Sequence, residues 1–314
     1  IGSLFFVFGF VTWVNGALIP YLKIACELQS ETQSFLVVTA FFMAYFVMGI
    51  PSAIVLKKTG YKKGMSLGLL VMAVGALPFI PAAYTRSFGL FLSGLFIIGT
   101  GLALLQTASN PYASIIGPIE SAASRISILG ICNKVAGILA NVVFGFIALQ
   151  DTDALVASLQ HMDAAARNAQ LDALAIRVVN PYVIITLVLV ALAVAIYFSA
   201  LPDIKEEAGT DTSVNTASHK TSIWQFPHLL LGMLAIFLYV GVEVMAGDTI
   251  ISYGITLGIP ITEAKFFTSA TLTCMLIGYV AGIFLIPKYI RQQDALKICA
   301  VLGALFSTLA IFTS

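Results

Sequence analysis

The chain has 314 residues, of which 59% are apolar and 10% charged, where an ordinary soluble domain has about 45–50% and about 25%. That excludes a water-soluble globule, and a formal net charge of +1 excludes the basic field that binding to nucleic acid needs. Cys26, Cys132, Cys274 and Cys299 show neither a CxxC nor metal-ligand spacing and read as small apolar packing residues.

A helix needs about 20 mostly apolar residues to cross a hydrocarbon layer of about 30 Å. Nine segments meet that requirement, near 1–22, 35–56, 64–84, 88–112, 126–149, 181–201, 228–250, 266–286 and 297–314. The first begins at Ile1 without a Met and the last is still apolar at Ser314, so the sequence reads as part of a longer protein. The first span has neither a basic leader nor an A-x-A site, which argues against a cleavable signal peptide.

Lys and Arg set the orientation, because positive loops stay on the cytoplasmic side. With alternating spans, Lys57, Lys58, Lys62, Lys63, Arg125, Lys205, Lys220, Lys288, Arg291 and Lys297 fall on the side of the amino terminus. Lys23, Arg86, Arg167, Arg177 and Lys265 fall on the other, and Lys134 stays inside a span. The amino-terminal side is therefore expected to be cytoplasmic. The Ala-rich loop 151–180, with charges three to five residues apart, is expected to hold an exposed helix that decorates the outer side.

Residues 202–226 are polar and rich in Ser and Thr, as a flexible linker should be. They follow six spans, which divides the chain into a six-helix unit, 1–201, a cytoplasmic linker, and the first three helices of a second unit, 227–314. A weak repeat agrees: YFVMGIPSAIVLKKTGYKKGMSLG from Tyr45 and MLIGYVAGIFLIPKYIRQQDALKICA from Met275 both read apolar helix, basic turn, apolar helix. Parallel six-helix halves joined in this way form a transporter architecture, with substrate held near the midplane.

Particular stretches carry a resemblance. LKKTGYKKG resembles a degenerate form of the basic loop of the major facilitator superfamily, without its usual acidic residue. GLALLQTASNPYASIIGP, SRISILGICNKVAG and FLYVGVEVMAGD are similar to the superfamily's fucose/glucose/galactose group of sugar:cation symporters, and ICNKVAG and EVMAGD to the branch associated with N-acetylglucosamine uptake. The resemblance implies an all-α bundle of twelve transmembrane helices, nine of them present here. In the fucose–proton branch, carboxylates in spans one and four stand at the positions of Gly16 and Gln106. Neither residue takes up a proton, so any coupling group must lie elsewhere.

Glu243 is the one carboxylate well inside a span, with Asp248 about 7–8 Å further along the same helix. Ionisable groups at that depth cost at least about 2.5–3.5 kcal/mol and commonly mark ion or substrate paths. Both are candidates for cation coupling, H⁺ or Na⁺; alternatively Glu243 neutralises Lys134. Lys134 either snorkels to the inner surface or faces a cavity, and the neighbouring Asn133 favours the cavity.

Hexose recognition needs many fixed donors and acceptors. Asn15, Gln106, Asn110, Asn133 and Lys134 are the candidate substrate contacts. Asn141 reads as a helix–helix contact, and Trp13 and Tyr239 as packing or interface residues that could also stack on a sugar face. Arg125, Lys62 and Lys63 lie at helix ends on the cytoplasmic side, where ion pairs and dipole contacts can gate; topology and headgroup anchoring explain them equally. With no HExxH, no GxSxG and no clustered His, neither an enzyme nor a bound cofactor or metal is expected. The expectation is a sugar symporter of a bacterial-type inner membrane that imports a hexose or amino-hexose by alternating access. A uniporter is the alternative, and a sugar sensor or channel the rival of another class.

Overall fold

Backbone groups in hydrocarbon must find partners within their own segment, which restricts spanning elements to helices or closed barrels. The structure, a computed structural model, describes residues 1–117, 122–159, 161–201, 226–286 and 288–313, and among them every regular element is a helix. The linker inferred at 202–226 lies outside the described residues except for Phe226.

Span one is α1 (Gly2–Trp13) followed by α2 (Asn15–Ala25), jointed at Val14. After the short α3 (Glu31–Ser34), whose amino terminus is capped by the Ser30 hydroxyl, comes α4 (Leu36–Ala76). Its 41 residues would run about 60 Å at 1.5 Å per residue, twice the hydrocarbon thickness. Gly60 resolves the excess. With φ 75° and ψ 171° it interrupts the helical backbone in a conformation that a side chain would strain. A Cβ on Gly75 would lie 2.5 Å from the Ile98 nitrogen, while one on Gly99 would collide with the Phe41 carbonyl. Stretches on either side of Gly60 therefore meet the helix at Phe88–Ile115 at one level, and lie side by side as spans two and three.

The chain continues through α5 (Phe79–Thr85), α6 (Phe88–Ile115), α7 (Ala122–Ala148), α8 (Thr152–Leu159), α9 (Ala164–Ile176) and α10 (Val179–Phe198). After residues 202–225 come α11 (Pro227–Asp248), α12 (Ile250–Thr256), α13 (Ile261–Ala264), α14 (Phe267–Leu285) and α15 (Gln292–Thr313). Among the described residues seven stretches are long and apolar enough to cross a membrane. One of them, Glu31–Thr85, contains the break at Gly60, and α15 has spanning length, which gives the nine spans expected.

Glycine seams hold spans two to four together. Cβ atoms on Gly68 and Gly101 would lie 2.8 Å and 2.6 Å from each other's carbonyl oxygens, so the two backbones touch. Phe79 stacks on Tyr182 at 3.7 Å, and the buried Tyr21 donates to the carbonyls of Leu174 and Ala175. Large apolar side chains such as Phe46, Ile50 and Phe198 point outward, as a lipid-facing surface requires.

The helices have two ends, a basic end with Lys57–Lys63 and Arg125, and a loop end carrying α8, α9, α12 and α13. At the loop end the last three spans meet the first six. Asp153 of α8 accepts from the Ile261 and Thr262 amides at 2.9 Å and from the Thr262 hydroxyl at 2.7 Å. The 151–180 segment is thus more than the decoration expected: it forms the predicted helix and also binds across to α13. α14 and the turn before it follow α7, from Lys265 beside Gly145 to Tyr279 against Gly130. The only buried residues of α11 are Gly247 and Asp248, at its loop end.

Candidate functional site

The joint between α1 and α2 organises the site. A Cβ on Gly9 would collide with the Asn133 carbonyl, so α1 and α7 pack backbone to backbone. That brings the Trp13 indole to donate to Asn133 Oδ1 at 3.0 Å, while the Asn141 amide donates to the Trp13 carbonyl at 2.7 Å and to that of Gly137 at 3.0 Å. Asn141 is therefore the helix–helix contact that the sequence suggests. Trp13 has no free face for a sugar. Gly137 and Gly247 abut its ring, and the Lys134 ammonium stands 4.0 Å from its centroid.

Lys134 is 3% exposed and does not snorkel to a surface. Its Nζ lies 2.5 Å from Glu243 Oε1, which joins α7 to α11. The Glu243 side chain is 17% exposed and lines a cavity of about 710 Å³ together with Tyr239, Tyr279, Gly278, Ser127 and Cys299. The cavity runs from the ion pair toward the basic end, between α7, α11, α14 and α15. It is of the size that encloses a small ligand, and it has apolar walls with a few converging polar groups. The Tyr239 and Tyr279 hydroxyls are close enough to act on the Glu243 carboxylate.

Tyr279 is the residue that sequence reasoning missed. An aromatic residue in an apolar span carries no signal of its own, and only its contact with Gly130 shows which way it faces.

The remaining candidates lie apart from this cavity. Asn15 is fully buried, both amide atoms lack a partner, and it lines a narrow void with Phe41, Leu95, Ile98 and Tyr182 inside the first six spans. Gln106 is half-buried on α6, and Asn110 is exposed near its end. Arg125 donates to the carbonyls of Ala113, Ser114 and Gly117 at 2.9–3.3 Å, closing the carboxyl-terminal end of α6. Lys62 donates to the Ser199 carbonyl at 2.5 Å, and Lys63 is exposed. These bonds join elements of the first six spans.

Asp248 differs from every other acidic residue described. It is 1% exposed at the end of α11, and neither carboxylate oxygen has a hydrogen-bond partner. Span one closes over it at Gly16, whose Cβ position is 3.4 Å from the Asp248 Cα and 3.0 Å from the Thr268 hydroxyl. That hydroxyl donates to the Gly247 carbonyl at 2.8 Å.

Known proteins resemble this chain in sequence and fold. The glucose/galactose transporter of Brucella abortus is 33% identical over 320 residues, covering 99% of this chain and 71% of that protein. The L-fucose-proton symporter of Escherichia coli is 32% identical over 297 residues, covering 91% of this chain and 66% of that protein. A crystal structure of the transporter FucP in the outward conformation superposes with a TM-score of 0.72 at 31% identity, covering 92% of this chain and 70% of that one. The model of the Major Facilitator Superfamily matches residues 1–314. With its whole length matched and nine spanning helices in place, the chain is a multi-pass membrane protein and belongs to the major facilitator superfamily.

Proposed function

We propose that the protein imports a hexose or amino-hexose of the glucose, galactose or N-acetylglucosamine class by cation symport through alternating access. The observation that carries this reading is the Lys134–Glu243 pair on the wall of a ligand-sized cavity, because the pair bridges the first six spans and the last three. Sugar hydroxyls entering between an ammonium and a carboxylate gain charge-assisted hydrogen bonds on both sides, so binding alters the contact between the two bundles. Lys134 is the proposed substrate contact joined to this cavity, through Glu243, while Asn133 beside it bonds to Trp13 of span one. Asn15, Gln106 and Asn110 belong to the proposed binding set only if another conformation brings them to it.

The basic end faces the cytoplasm of a bacterial inner membrane in this reading, as the excess of Lys and Arg there favours. The two six-helix units are 1–201 and the one that begins at 227. The conformation described is then closed outside, where Asp153 meets α13, and open inside. Arg125, Lys62 and Lys63 make up the inner face that gates the return. The coupling ion, H⁺ or Na⁺, is handled by Glu243 and Asp248 of α11, and no other cofactor is required. No reaction is catalysed. The relatives are named as transporters and symporters, which supports a carrier over an enzyme.

One feature favours uniport as a second reading. Gly16 and Gln106 offer no carboxylate in spans one and four. Uptake into proteoliposomes with and without imposed H⁺ or Na⁺ gradients decides between them: sugar accumulates above equilibrium under one of the gradients in a symporter, and identical final levels under all of them exclude symport. Thermal-shift measurements with glucose, galactose, fucose and N-acetylglucosamine identify the sugar. Counterflow overshoot separates a carrier from a sensor or channel.

A further inference from the structure

We propose that Asp248 is where the transporter carries its coupling proton: the carboxyl group is protonated while α2 is closed over it and releases the proton to water when α2 and α11 part. The proposal rests on the symport reading and assigns the ion-carrying step to one of the two carboxylates. Glu243 already has a cation, whereas Asp248 has none.

The argument starts from solvation. A carboxylate removed from water with neither a cation nor a donor carries a penalty of several kcal/mol, while a neutral carboxylic acid in the same place leaves only ordinary polar groups unmet, at about 1–3 kcal/mol. Asp248 meets both conditions, since it is 1% exposed and both of its oxygens lack partners. The titratable groups on the elements packed around it are all engaged or turned away. On α2, Tyr21 donates to the Leu174 and Ala175 carbonyls, and Lys23 pairs with Glu31. On α7, Lys134 pairs with Glu243. Lys265, after α13, lies between the rings of Phe146 and Phe266, Tyr253 of α12 is exposed, and Tyr279 of α14 lines the cavity beside Glu243.

Position supplies the second half of the argument. Asp248 sits where α11 passes into α12, opposite the joint between α1 and α2, and the cover over it is Gly16, a residue without a side chain. Transporters built from repeated helix units hold substrate and coupling ions at the interface between those units, and Asp248 stands where span one meets α11. Parting the bundles lifts Gly16 away and lets water reach the carboxyl, where the anion becomes affordable. A sodium ion would need about six oxygen ligands. The Thr268 hydroxyl and the Gly247 carbonyl beside it are bonded to each other, and among the described residues no group of three or more His, Cys, Asp or Glu could hold a metal ion. The step balances as a carboxylic acid giving one proton to water on one side of the membrane and a carboxylate regaining one on the other.

The test uses the whole protein in proteoliposomes under an imposed pH gradient, with three readouts: accumulation, counterflow exchange and sugar-dependent alkalinisation of the outer medium. Asp248→Asn is expected to keep exchange and to lose both accumulation and alkalinisation, so that inside and outside sugar levels equalise. Asp248→Ser, a smaller neutral residue, is expected to give the same result and replaces the first variant should that one fail to exchange. Accumulation or alkalinisation at the wild-type level in either exchanging variant overturns the proposal, as does loss of exchange in both variants when each folds with the wild-type melting temperature. Wild-type accumulation driven by Na⁺ alone also overturns it while leaving symport intact. Wild-type exchange with no accumulation under any gradient overturns the symport reading itself.

Discussion

Lys134 on α7 and Glu243 on α11 are 109 residues apart in sequence and 2.5 Å apart in space, and between them they join one of the first six spans to one of the last three. Removing one partner leaves the other as a lone ion in an apolar wall, at a cost of about 3–5 kcal/mol for a buried pair. Glu243→Gln and Lys134→Met are each expected to lower the melting temperature and weaken sugar binding, as read by thermal shift and calorimetry. The double variant should recover much of the stability but not the affinity, because charge balance is restored while the polar contacts remain lost.

Asn141 gives both amide hydrogens to carbonyls, those of Trp13 and Gly137, and is fully buried. Asn141→Leu should destabilise the protein by about 1–3 kcal/mol, the cost of an unmet buried acceptor. Trp13 emission in the Trp224→Phe background should shift as the indole loses its fixed position. Unchanged melting and emission would refute the assigned role.

The backbone contact between α1 and α7 makes a sharper prediction. Gly9→Ala places a methyl group inside the Asn133 carbonyl, while Gly49→Ala meets nothing within 4 Å. The first should cost at least about 1–3 kcal/mol as an overpacked contact and disturb the Trp13–Asn133 bond; the second should match wild type in yield, melting and transport.

Asp153 controls the loop end. Partial burial pushes its carboxyl up, but bonds from the Thr262 hydroxyl and the Thr262 and Ile261 amides, with Lys265 nearby, hold it below the ordinary carboxylate value of 3.8. A depressed carboxylate contributes stability above its unfolded value and loses it only as pH falls through the folded one. The contact should therefore be constant from about pH 5 to about pH 8, and any pH dependence of transport in that window must arise elsewhere. Asp153→Ala should raise the population with separated loop ends, measured as distances between spin labels at exposed sites on α9 and α12. Asp153→Asn should fall between, since it keeps one acceptor oxygen.

The spans were legible because hydropathy over about 20 residues is a property of sequence alone, and so was the intramembrane status of Lys134, Glu243 and Asp248. Partners were not. Asp153 and Thr262 are separated by 109 positions, and nothing local to either residue announces the other. Asn15 shows the same limit in reverse: an amide at mid-span predicts a polar partner or a wet cavity, yet the turn of α2 directs it into a narrow void within the first bundle. Periodicity does not say which face of a helix meets which neighbour when the whole helix is apolar.

The seam where Gly68 meets Gly101, and Gly75 meets Ile98, also limits how the molecule moves. Interlocked main chains contain no rotamers to exchange and no layer of side chains to slide, so spans two, three and four behave as one stiff plate. Movement should be concentrated where side chains mediate the contact, between α7 and its neighbours α11 and α14, rather than within the plate itself.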